Sequence, residues 1–387
     1  MKFKRVFLIV LDSLGVGEAL DSSDYGDVGA NTLGNINKEY ELFIPNLKKL
    51  GFLNTLTMNN KESEAYYTIA RPKNKGKDSL SGHYEIMGIE NTIAYKTFKE
   101  DVFPRELLES IANHTKKGII GNVVGNTNDI INKLGDRHKE TGALLIYTTA
   151  DSNLEVAAHE DIVPINELYQ YAEIIRDITD KEEWRVGSIV ARPFVGESGS
   201  YKLSSNSRYF TLTPPNKSVL DILKNNGLHV ISIGKIYDLY HGFGISKIIK
   251  SESNVEGLSK LTDIMDKNFT GLCYLNLSDF DTLYGHERDV SGYAKAIENF
   301  DVEVPIILNK LNIDDLLIIT ADHGCDPTMP GFNHTRENVP VIVYSRLFKE
   351  PKQLAVLETM SDIGATIIDN YNLERPWMGT SFLDKLK

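Results

Sequence analysis

Five short, continuous runs of apolar residues are the feature that most constrains the fold of this chain. Strands that are buried on both faces of a parallel sheet show such unbroken runs, whereas half-exposed strands alternate apolar and polar residues. Segments with helical periodicity separate the runs, and this alternation is typical of a doubly wound α/β domain. The predicted strands, all interpreted as central and parallel, are 5–12, 229–234, 270–279, 315–322 and 339–345; the predicted helices are 218–227, 255–268 and 292–311.

A change in the pattern of apolar and turn-forming residues in the middle of the chain predicts a second, inserted domain. This part has apolar runs at 118–124 and 143–149, a helical segment at 165–178 and a turn-rich stretch at 196–210. The sequence Thr-Pro-Pro-Asn at 213–216 is typical of a stiff linker that returns the chain to its first domain. We therefore expect a core formed by 1–96 and 215–387 and an α+β cap domain formed by 97–214.

Net charge and the distribution of apolar residues disfavour several kinds of protein. The 387 residues include 42 basic and 54 acidic side chains, a net charge of -12, which disfavours nucleic acid or an anionic membrane as the main partner. The apolar N-terminal run is short and is closed by Asp12, so we interpret it as a buried strand rather than a signal peptide. No segment approaches the roughly 20 apolar residues of a membrane span, and we expect a cytoplasmic protein. Cys273 and Cys325 form no Cys-x-x-Cys pair, so neither a disulfide framework nor a thiolate zinc site is expected.

Side chains that can bind metal follow three of the predicted strands. Ligands in open α/β sheets bind at the carboxyl ends of the strands, where these side chains are expected to meet. Carboxylates and imidazoles without a thiolate favour divalent ions such as Mn, Mg or Zn, and two ions about 4 Å apart can clamp the attacking and leaving oxygens of a phosphoryl group. The six candidates are Asp12 at the end of the first run, Asp281 and His286 after the run at 270–279, Asp322 at the end of the run at 315–322, and His323 and His334 after it.

Each of these residues also has an ordinary structural interpretation when it is taken alone. A single Asp at a strand end is usually a helix cap or a turn former, and a single His is usually a surface residue or a hydrogen-bonded core residue. We apply this interpretation to Asp326, which precedes Pro327, and to four other histidines: His114, His138, His229 and His241. The complete set on the strand ends is what indicates a metal centre.

The stretch Gly-Lys-Asp-Ser-Leu-Ser-Gly-His at 76–83 supplies candidate nucleophiles. Its ordinary interpretation is a hydrophilic loop. Its functional interpretation is a nucleophile loop, because a hydroxyl beside a dimetal centre can be deprotonated and attack phosphorus. Ser79 and Ser81 are the two candidates.

Together these motifs resemble the alkaline phosphatase superfamily of metalloenzymes and, within it, the phosphopentomutase family. The resemblance extends over nearly the whole chain. The segments that carry it include "LIVLDSLGVGEALD", "GKDSLSGHYEIMG", "TTADSNLEVAAHE", "LNLSDFDTLYGHERD" and "TADHGCDPTMPGFNHTREN". The resemblance implies an alkaline-phosphatase-like core with an inserted cap.

The resemblance also implies two manganese ions and one hydroxyl nucleophile. The residue after Lys-Asp, which is Ser79 here, corresponds to the family nucleophile, where the family usually has Thr; Ser81 is the second candidate. One ion would be bound by the nucleophile with Asp12, Asp322 and His323, and the other by Asp281, His286 and His334.

The reaction that the resemblance implies is the interconversion of ribose 1-phosphate and ribose 5-phosphate, and of the deoxyribose pair. The phosphorylated nucleophile would pass its phosphoryl group to the sugar, and the resulting bisphosphate would turn over and return the other phosphate. Glucose 1,6-bisphosphate or ribose 1,5-bisphosphate would act as activator, and a cap would exclude water, which would otherwise make the enzyme a phosphatase. Asp151 corresponds to a ribose contact, and Arg192 and Lys235 to distal contacts, with an ordinary ion pair as the alternative for the last two.

Departures from the family pattern leave alternatives open. Ser188 stands where the family commonly has Arg, and Arg208 is displaced by one position. The second hypothesis is therefore a related mutase or a phosphatase that acts on another sugar phosphate. A non-catalytic sugar-phosphate sensor is disfavoured because no ligand or nucleophile is missing. Cofactor-independent phosphoglycerate mutase shares the metal site, but its insertion and the sequence around its serine differ.

Overall fold

The computed structural model describes residues 2–98, 103–149, 152–374 and 378–387. The chain forms two compact units, a larger one of residues 1–93 and 214–387 and a smaller one of residues 94–213. Among the helices of the described residues, none combines the length and the apolar character that crossing a membrane requires.

The strands and helices alternate along most of the chain. The strands are β1 (Arg5–Leu11), β2 (Tyr66–Ala70), β3 (Ile119–Val124), β4 (Leu144–Thr148), β5 (Asn153–His159), β6 (Ser188–Val195), β7 (Lys202–Leu203), β8 (Arg208–Thr211), β9 (His229–Ile233), β10 (Lys247–Ile249), β11 (Gly271–Leu277), β12 (Asp315–Thr320) and β13 (Val339–Tyr344). The helices are α1 (Thr32–Tyr40), α2 (Pro45–Lys49), α3 (Ser79–Ile86), α4 (Arg105–Thr115), α5 (Thr127–Thr141), α6 (Ile165–Ile178), α7 (Val219–Asn225), α8 (Ile236–Leu239), α9 (Asn254–Met265), α10 (Val290–Lys310) and α11 (Ser361–Asn370).

The larger unit is built on one sheet with the strand order β10-β9-β11-β1-β12-β13-β2. The strands β10, β9, β11, β1 and β12 run parallel to one another. All seven residues of β1 are buried, because this strand lies in the middle of the sheet. Its unbroken apolar sequence therefore reflects burial on both faces. The predicted α/β fold class is confirmed.

The direction of β13 differs from the prediction. The run at 339–345 was expected to be a parallel strand, but β13 pairs with β12 in antiparallel register, and β2 pairs with β13 in the same way. The chain between Thr320 and Val339 contains no helix that could carry it back across the sheet. A parallel neighbour needs such a crossover, so the strand that follows this loop runs in the opposite direction.

The smaller unit has a mixed sheet of its own, in the order β3-β4-β5-β6-β7, with β8 also paired to β6. Alternate residues of β4 face two different hydrophobic clusters. Leu144 and Ile146 pack in one cluster with α4 and α6, and Leu145 and Tyr147 pack in another with α5. Both faces of the sheet are therefore covered by helices. The use of this unit as a cap over a substrate stays a prediction.

Candidate metal centre

Three adjacent strands of the larger sheet end at the candidate site. Strand β1 pairs with β11 on one side and with β12 on the other, in parallel register, so the carboxyl ends of all three strands lie side by side. Asp12 follows β1 directly, and Asp322 follows β12. A π-helical turn, Phe280–Gly285, follows β11 and presents Asp281. Side chains that are separated by some 300 positions in sequence are thus brought to one edge of the sheet.

The first ligand group consists of Asp12, Asp322 and His323, which are all buried. One potential ligand atom of each lies within 4.8 Å of the others. The His323 Nε2 is 3.5 Å from Asp12 Oδ1 and 3.4 Å from Asp322 Oδ2. Burial alone would lower the pKa of His323, but the neighbouring carboxylates outweigh it and raise that pKa to about 10. Two buried carboxylates thus converge here, and His323 and Lys235, which pairs with Asp12, supply the positive charge beside them.

The second ligand group consists of Asp281, His286 and His334. The two oxygens of Asp281 each lie 3.3 Å from one imidazole, Oδ2 from His286 Nε2 and Oδ1 from His334 Nε2. Burial would raise the pKa of Asp281, but the two imidazoles outweigh it and hold that pKa well below its usual range. The His286 Nδ1 lies 2.7 Å from the carbonyl of Phe332 and donates to it, which directs Nε2 toward the site.

The two ligand groups adjoin each other. The ring centroids of His323, in the first group, and His334, in the second, are 4.0 Å apart. Sequence reasoning did not select Cys325, whose sulfur lies among the ligand atoms of the second group. The Arg288 guanidinium donates to this sulfur at 3.3 Å, and burial raises the pKa of the thiol. Its position two residues after His323 is the only sequence signal that could have pointed to it.

Unpartnered polar atoms test whether these residues fit metal ions. Three carboxylate oxygens of the two ligand groups are buried and accept no hydrogen bond of good geometry, although an imidazole nitrogen lies 3.3 to 3.5 Å from each: Asp12 Oδ1, Asp322 Oδ2 and Asp281 Oδ1. Burying such an atom costs about 1–3 kcal/mol, and more when the group is charged. The Nε2 atoms of His286 and His334 are also only 3.1 Å apart, which suits two nitrogens directed at one ion. Oxygen and nitrogen donors of this kind fit two divalent cations.

The two candidate nucleophiles have different surroundings. Ser79 is the first residue of α3, and its Oγ lies 3.1 Å from His323 Nε2 and 2.9 Å from Lys235 Nζ. Ser81 is buried, and its hydroxyl donates to Asp78 Oδ2 at 2.8 Å, while its backbone N–H donates to Asp78 Oδ1 at 3.0 Å. Asp78 is thus the N-cap of α3 and uses Ser81 as its partner. Only Ser79 faces the first ligand group.

The loop before α3 is held by a buried guanidinium that sequence reasoning missed. Arg336 forms a bidentate ion pair with Asp21, with distances of 2.9 and 3.0 Å. The same guanidinium donates to the carbonyls of Pro72, Asn74 and Gly76. These contacts fix the segment that leads into the nucleophile helix. The motif His-Thr-Arg-Glu at 334–337 contained this residue, but only His334 was assigned a role.

The three predicted substrate contacts fall in different places. Lys235 belongs to the larger unit, where its ammonium donates to Ser79 and forms an ion pair with Asp12. Arg192 belongs to the smaller unit, where its Nε donates to Glu155 at 2.7 Å and its guanidinium lies 5.6 Å from the ring centroid of Tyr209. Asp151 lies outside the described residues. Lys235 therefore adjoins the candidate nucleophile, and both Lys235 and Arg192 make an ion pair, the alternative interpretation given for each; their roles as substrate contacts stay predictions.

A comparison with protein-family models agrees with this geometry. The model described as the metalloenzyme superfamily matches residues 4–375. The chain belongs to the metalloenzyme superfamily. The matched region includes all six candidate ligands and both candidate serines.

Solved structures resemble this metalloenzyme superfamily member along nearly its whole length. Phosphoglycerate mutase from Leishmania mexicana, studied at low cobalt concentration, is 11% identical, with a TM-score of 0.50 over 98% of this chain and 97% of that one. A protein from Pyrococcus horikoshii is 14% identical, with a TM-score of 0.48 over 96% and 98% of the two chains. An alkaline phosphatase superfamily protein from Vibrio parahaemolyticus is 11% identical, with a TM-score of 0.47 over 99% and 70%. The likeness to the Leishmania enzyme shows a shared fold.

Proposed function

We propose that this metalloenzyme superfamily member is a phosphopentomutase. It would interconvert ribose 1-phosphate and ribose 5-phosphate, and the deoxyribose pair, through a phosphoserine at Ser79. The observation that carries this proposal is the position of the Ser79 hydroxyl, 2.9 Å from Lys235 Nζ and 3.1 Å from His323 Nε2. A nucleophile thus stands directly beside a ligand group for a divalent cation, on a fold whose family is metal-dependent.

The surroundings of Ser79 suit a transferring phosphoryl group. Ser79 opens α3, so the positive end of the helix dipole faces whatever anion is bound there. The Lys235 ammonium lies against the same hydroxyl and can donate to a phosphoryl oxygen. Two bound divalent ions, for which Mn²⁺ is the family's usual metal, would supply Lewis-acid stabilisation of the developing charge.

The bond changes follow from one nucleophile serving both directions. A free hydroxyl of the sugar monophosphate would attack the phosphorus of phosphorylated Ser79, so that the bond from phosphorus to Ser79 Oγ breaks and a sugar bisphosphate forms. After the bisphosphate turns over, Ser79 Oγ would form a bond to the other phosphorus as the bond from that phosphorus to its sugar oxygen breaks, which releases the isomer and restores the phosphoserine. Glucose 1,6-bisphosphate or ribose 1,5-bisphosphate would phosphorylate the first enzyme molecules. The smaller unit would serve as the cap that keeps water from the phosphoserine, with Asp151 and Arg192 as sugar-phosphate contacts.

An assay that follows two products at once tests the proposal. Ribose 5-phosphate is incubated with the enzyme, Mn²⁺ and glucose 1,6-bisphosphate, and ribose 1-phosphate and free phosphate are measured together. We expect isomer with little free phosphate. Free phosphate alone, or no turnover, would refute the pentomutase assignment.

A matched pair of serine variants tests the nucleophile. Ser79→Ala removes the hydroxyl that faces the first ligand group, so we expect no phosphoenzyme and turnover lowered by at least about 1,000-fold, as for other enzymatic nucleophiles. Ser81→Ala removes only a partner of Asp78, and we expect it to retain phosphorylation. Labelling with ³²P-bisphosphate and tryptic mapping measure both. Label retained in Ser79→Ala and lost in Ser81→Ala would reverse the assignment.

The second candidate function is a mutase or phosphatase for another sugar phosphate. Departures from the family pattern at two expected arginine positions favour this second function. Ser188, buried at the start of β6, replaces one expected Arg, and the guanidinium of Arg208 lies 5.3 and 4.9 Å from the ring centroids of Tyr169 and Phe210. A panel of hexose, pentose and glycerate phosphates in the same two-product assay separates the two candidates by the ratio of isomer to free phosphate.

A further inference from the structure

His83 is a buried, polar residue of the larger unit that the proposed reaction does not use. Its side chain is fully buried on the inner side of α3, one helical turn after Ser79. The Nδ1 lies 2.5 Å from the hydroxyl of Tyr274, and the Nε2 lies 3.1 Å from Asn276 Oδ1. Both ring nitrogens therefore have partners, and both partners belong to β11.

The hydrogen bonds determine which ring nitrogen carries the proton. The side-chain amide of Asn276 donates through Nδ2 to Asp12 Oδ2 at 2.8 Å. Its oxygen, which can only accept, therefore faces His83 Nε2, so Nε2 must be protonated. The Nδ1 lies against the Tyr274 hydroxyl. The imidazole has one orientation in which Nε2 donates to Asn276 and both ring nitrogens keep their partners.

This arrangement reaches two carboxylates of the first ligand group. Asn276 connects His83 to Asp12, and His83 Nε2 itself lies 3.3 Å from Asp322 Oδ2. Asp322 Oδ1 is held separately by the backbone N–H of Ser13 at 3.0 Å. The orientation of each carboxylate in this group is thus set partly through one imidazole. Ligating carboxylates are commonly oriented by such outer hydrogen bonds.

Helix α3 is fixed in place at the same point. The hydroxyl of Tyr240 donates to the backbone carbonyl of His83. A Cβ at the adjacent Gly82 would lie only 2.0 Å from the carbonyl oxygen of Asp322, so the helix backbone packs directly on the strand end. His83 therefore belongs to a helix, α3, that carries the candidate nucleophile and packs directly against the candidate metal ligands.

We infer that His83 is a positioning residue that orients Asp12 and Asp322 for one of the two metal ions. The inference rests on the proposed two-ion site. It is specific to the first ligand group, because the described contacts of His83 reach Asp12 through Asn276 and Asp322 directly, whereas Asp281 is contacted by His286 and His334. Loss of His83 should weaken the binding of one ion and spare the other.

Two amide substitutions of different length test this role. In His83→Gln the side-chain NH₂ can take the place of Nε2 and donate to Asn276 and Asp322. In His83→Asn the shorter amide reaches only the position of Nδ1, so that donor is lost. Mn²⁺ binding to the whole chain is measured by equilibrium dialysis without substrate. We expect two ions in the wild type, and in His83→Asn a 10- to 100-fold weaker affinity for one of them, the scale of outer-shell effects on metals. His83→Gln should stay within about threefold of the wild type, because the outer-shell hydrogen bond is retained.

The same substitution at His138 provides the matched control. His138 is also fully buried and uses both ring nitrogens, with Nδ1 donating to the Ala143 carbonyl at 2.6 Å and Nε2 accepting from the His159 N–H at 2.9 Å. His138→Asn should leave the affinity for both ions unchanged. Unchanged affinities in His83→Asn, equal weakening of both ions, or equal losses in His83→Asn and His83→Gln would each overturn the inference.

The metal measurement separates this inference from the proposed function. If the wild type binds two ions and the two His83 variants differ as expected, but ribose 5-phosphate is not isomerised, the inference stands and the pentomutase assignment fails. If isomerisation occurs and His83→Asn binds both ions like the wild type, the assignment stands and the inference fails. If the wild type binds no Mn²⁺, the two-ion site and this role of His83 are both refuted.

Discussion

Both units of this protein bury charged and ionisable side chains, but the two units differ in whether these side chains have hydrogen-bond partners. In the smaller unit, Arg192 pairs with Glu155 at 2.7 Å, and both nitrogens of His138 have backbone partners. Within the part of this unit that the structure describes, no buried carboxylate or imidazole atom lacks a partner. In the larger unit, three carboxylate oxygens that converge in the two ligand groups have no hydrogen-bond partner. Burial of charge is therefore common to both units, and only convergent, unpartnered atoms indicate a site for a cation.

The largest expected effect concerns a ligand in the larger unit. Asp322→Ala should reduce bound Mn²⁺ from two ions to one and lower kcat/KM by about 1,000-fold. The reason is that the negative charge that develops on the phosphoryl group in the transition state loses one of the two ions that would stabilise it. Glu155→Gln, a change at an equally buried carboxylate of the smaller unit, should keep both ions. Atomic absorption after gel filtration measures the metal content. Full metal content and an unchanged rate in Asp322→Ala would remove the basis for the two-ion site.

The next effect concerns stability in the smaller unit. Arg192→Met leaves Glu155 buried without its counter-charge, and breaking a buried pair in this way costs about 3 kcal/mol. We expect a lower urea midpoint with bound Mn²⁺ unchanged. If Arg192 also binds the distal phosphate, KM should rise while kcat changes little. A urea midpoint equal to that of the wild type would show that this ion pair does not stabilise the smaller unit.

Metal removal should destabilise the protein by a similar amount. A cation that binds only the native state stabilises it by about 2.7 kcal/mol per site at one hundred times its Kd. We therefore expect Mn²⁺ to raise the urea midpoint of the chelator-treated wild type. Asp322→Ala combined with Asp281→Ala should abolish this increase, because each ligand group loses a carboxylate. An equal increase in the double variant would mean that Mn²⁺ acts elsewhere.

The smallest effect is a pH dependence of stability in the smaller unit. Burial lowers the pKa of His138, and protonation of Nε2 would also break the bond that it accepts from His159. Because the native pKa is lowered, the unfolded chain binds the proton more tightly than the native protein does. The contribution of His138 to the free energy of unfolding should therefore be complete above pH 6.5 and should decrease as the pH falls below it. His138→Asn should flatten this dependence. Urea midpoints of both proteins at pH 5 and pH 8 measure it, and parallel curves would contradict it.

Local pattern predicted most of the larger unit because its strands are buried on both faces. The predicted helix at 218–227 contains α7, and the run at 5–12 contains β1, since apolar periodicity is a local property. The short strands β2 and β10 were missed. They lie at the two edges of the sheet and have only five and three residues, so neither forms a long apolar run. The direction of β13 was predicted wrongly, because direction depends on how the preceding loop returns and not on the strand's own residues.

The sequence by itself determined which residue types follow the strands, and a parallel sheet necessarily brings such side chains to one edge. That is why Asp12, Asp281 and Asp322 could be named together before the fold was known. Only the tertiary structure decided that Ser79 rather than Ser81 faces the first ligand group, that Lys235 lies against this serine, and that His83 connects α3 to two carboxylates. Such contacts join residues that are far apart in sequence. No local pattern encodes the geometry of a helix N-cap, the orientation of a buried imidazole or the rotamer of a lysine.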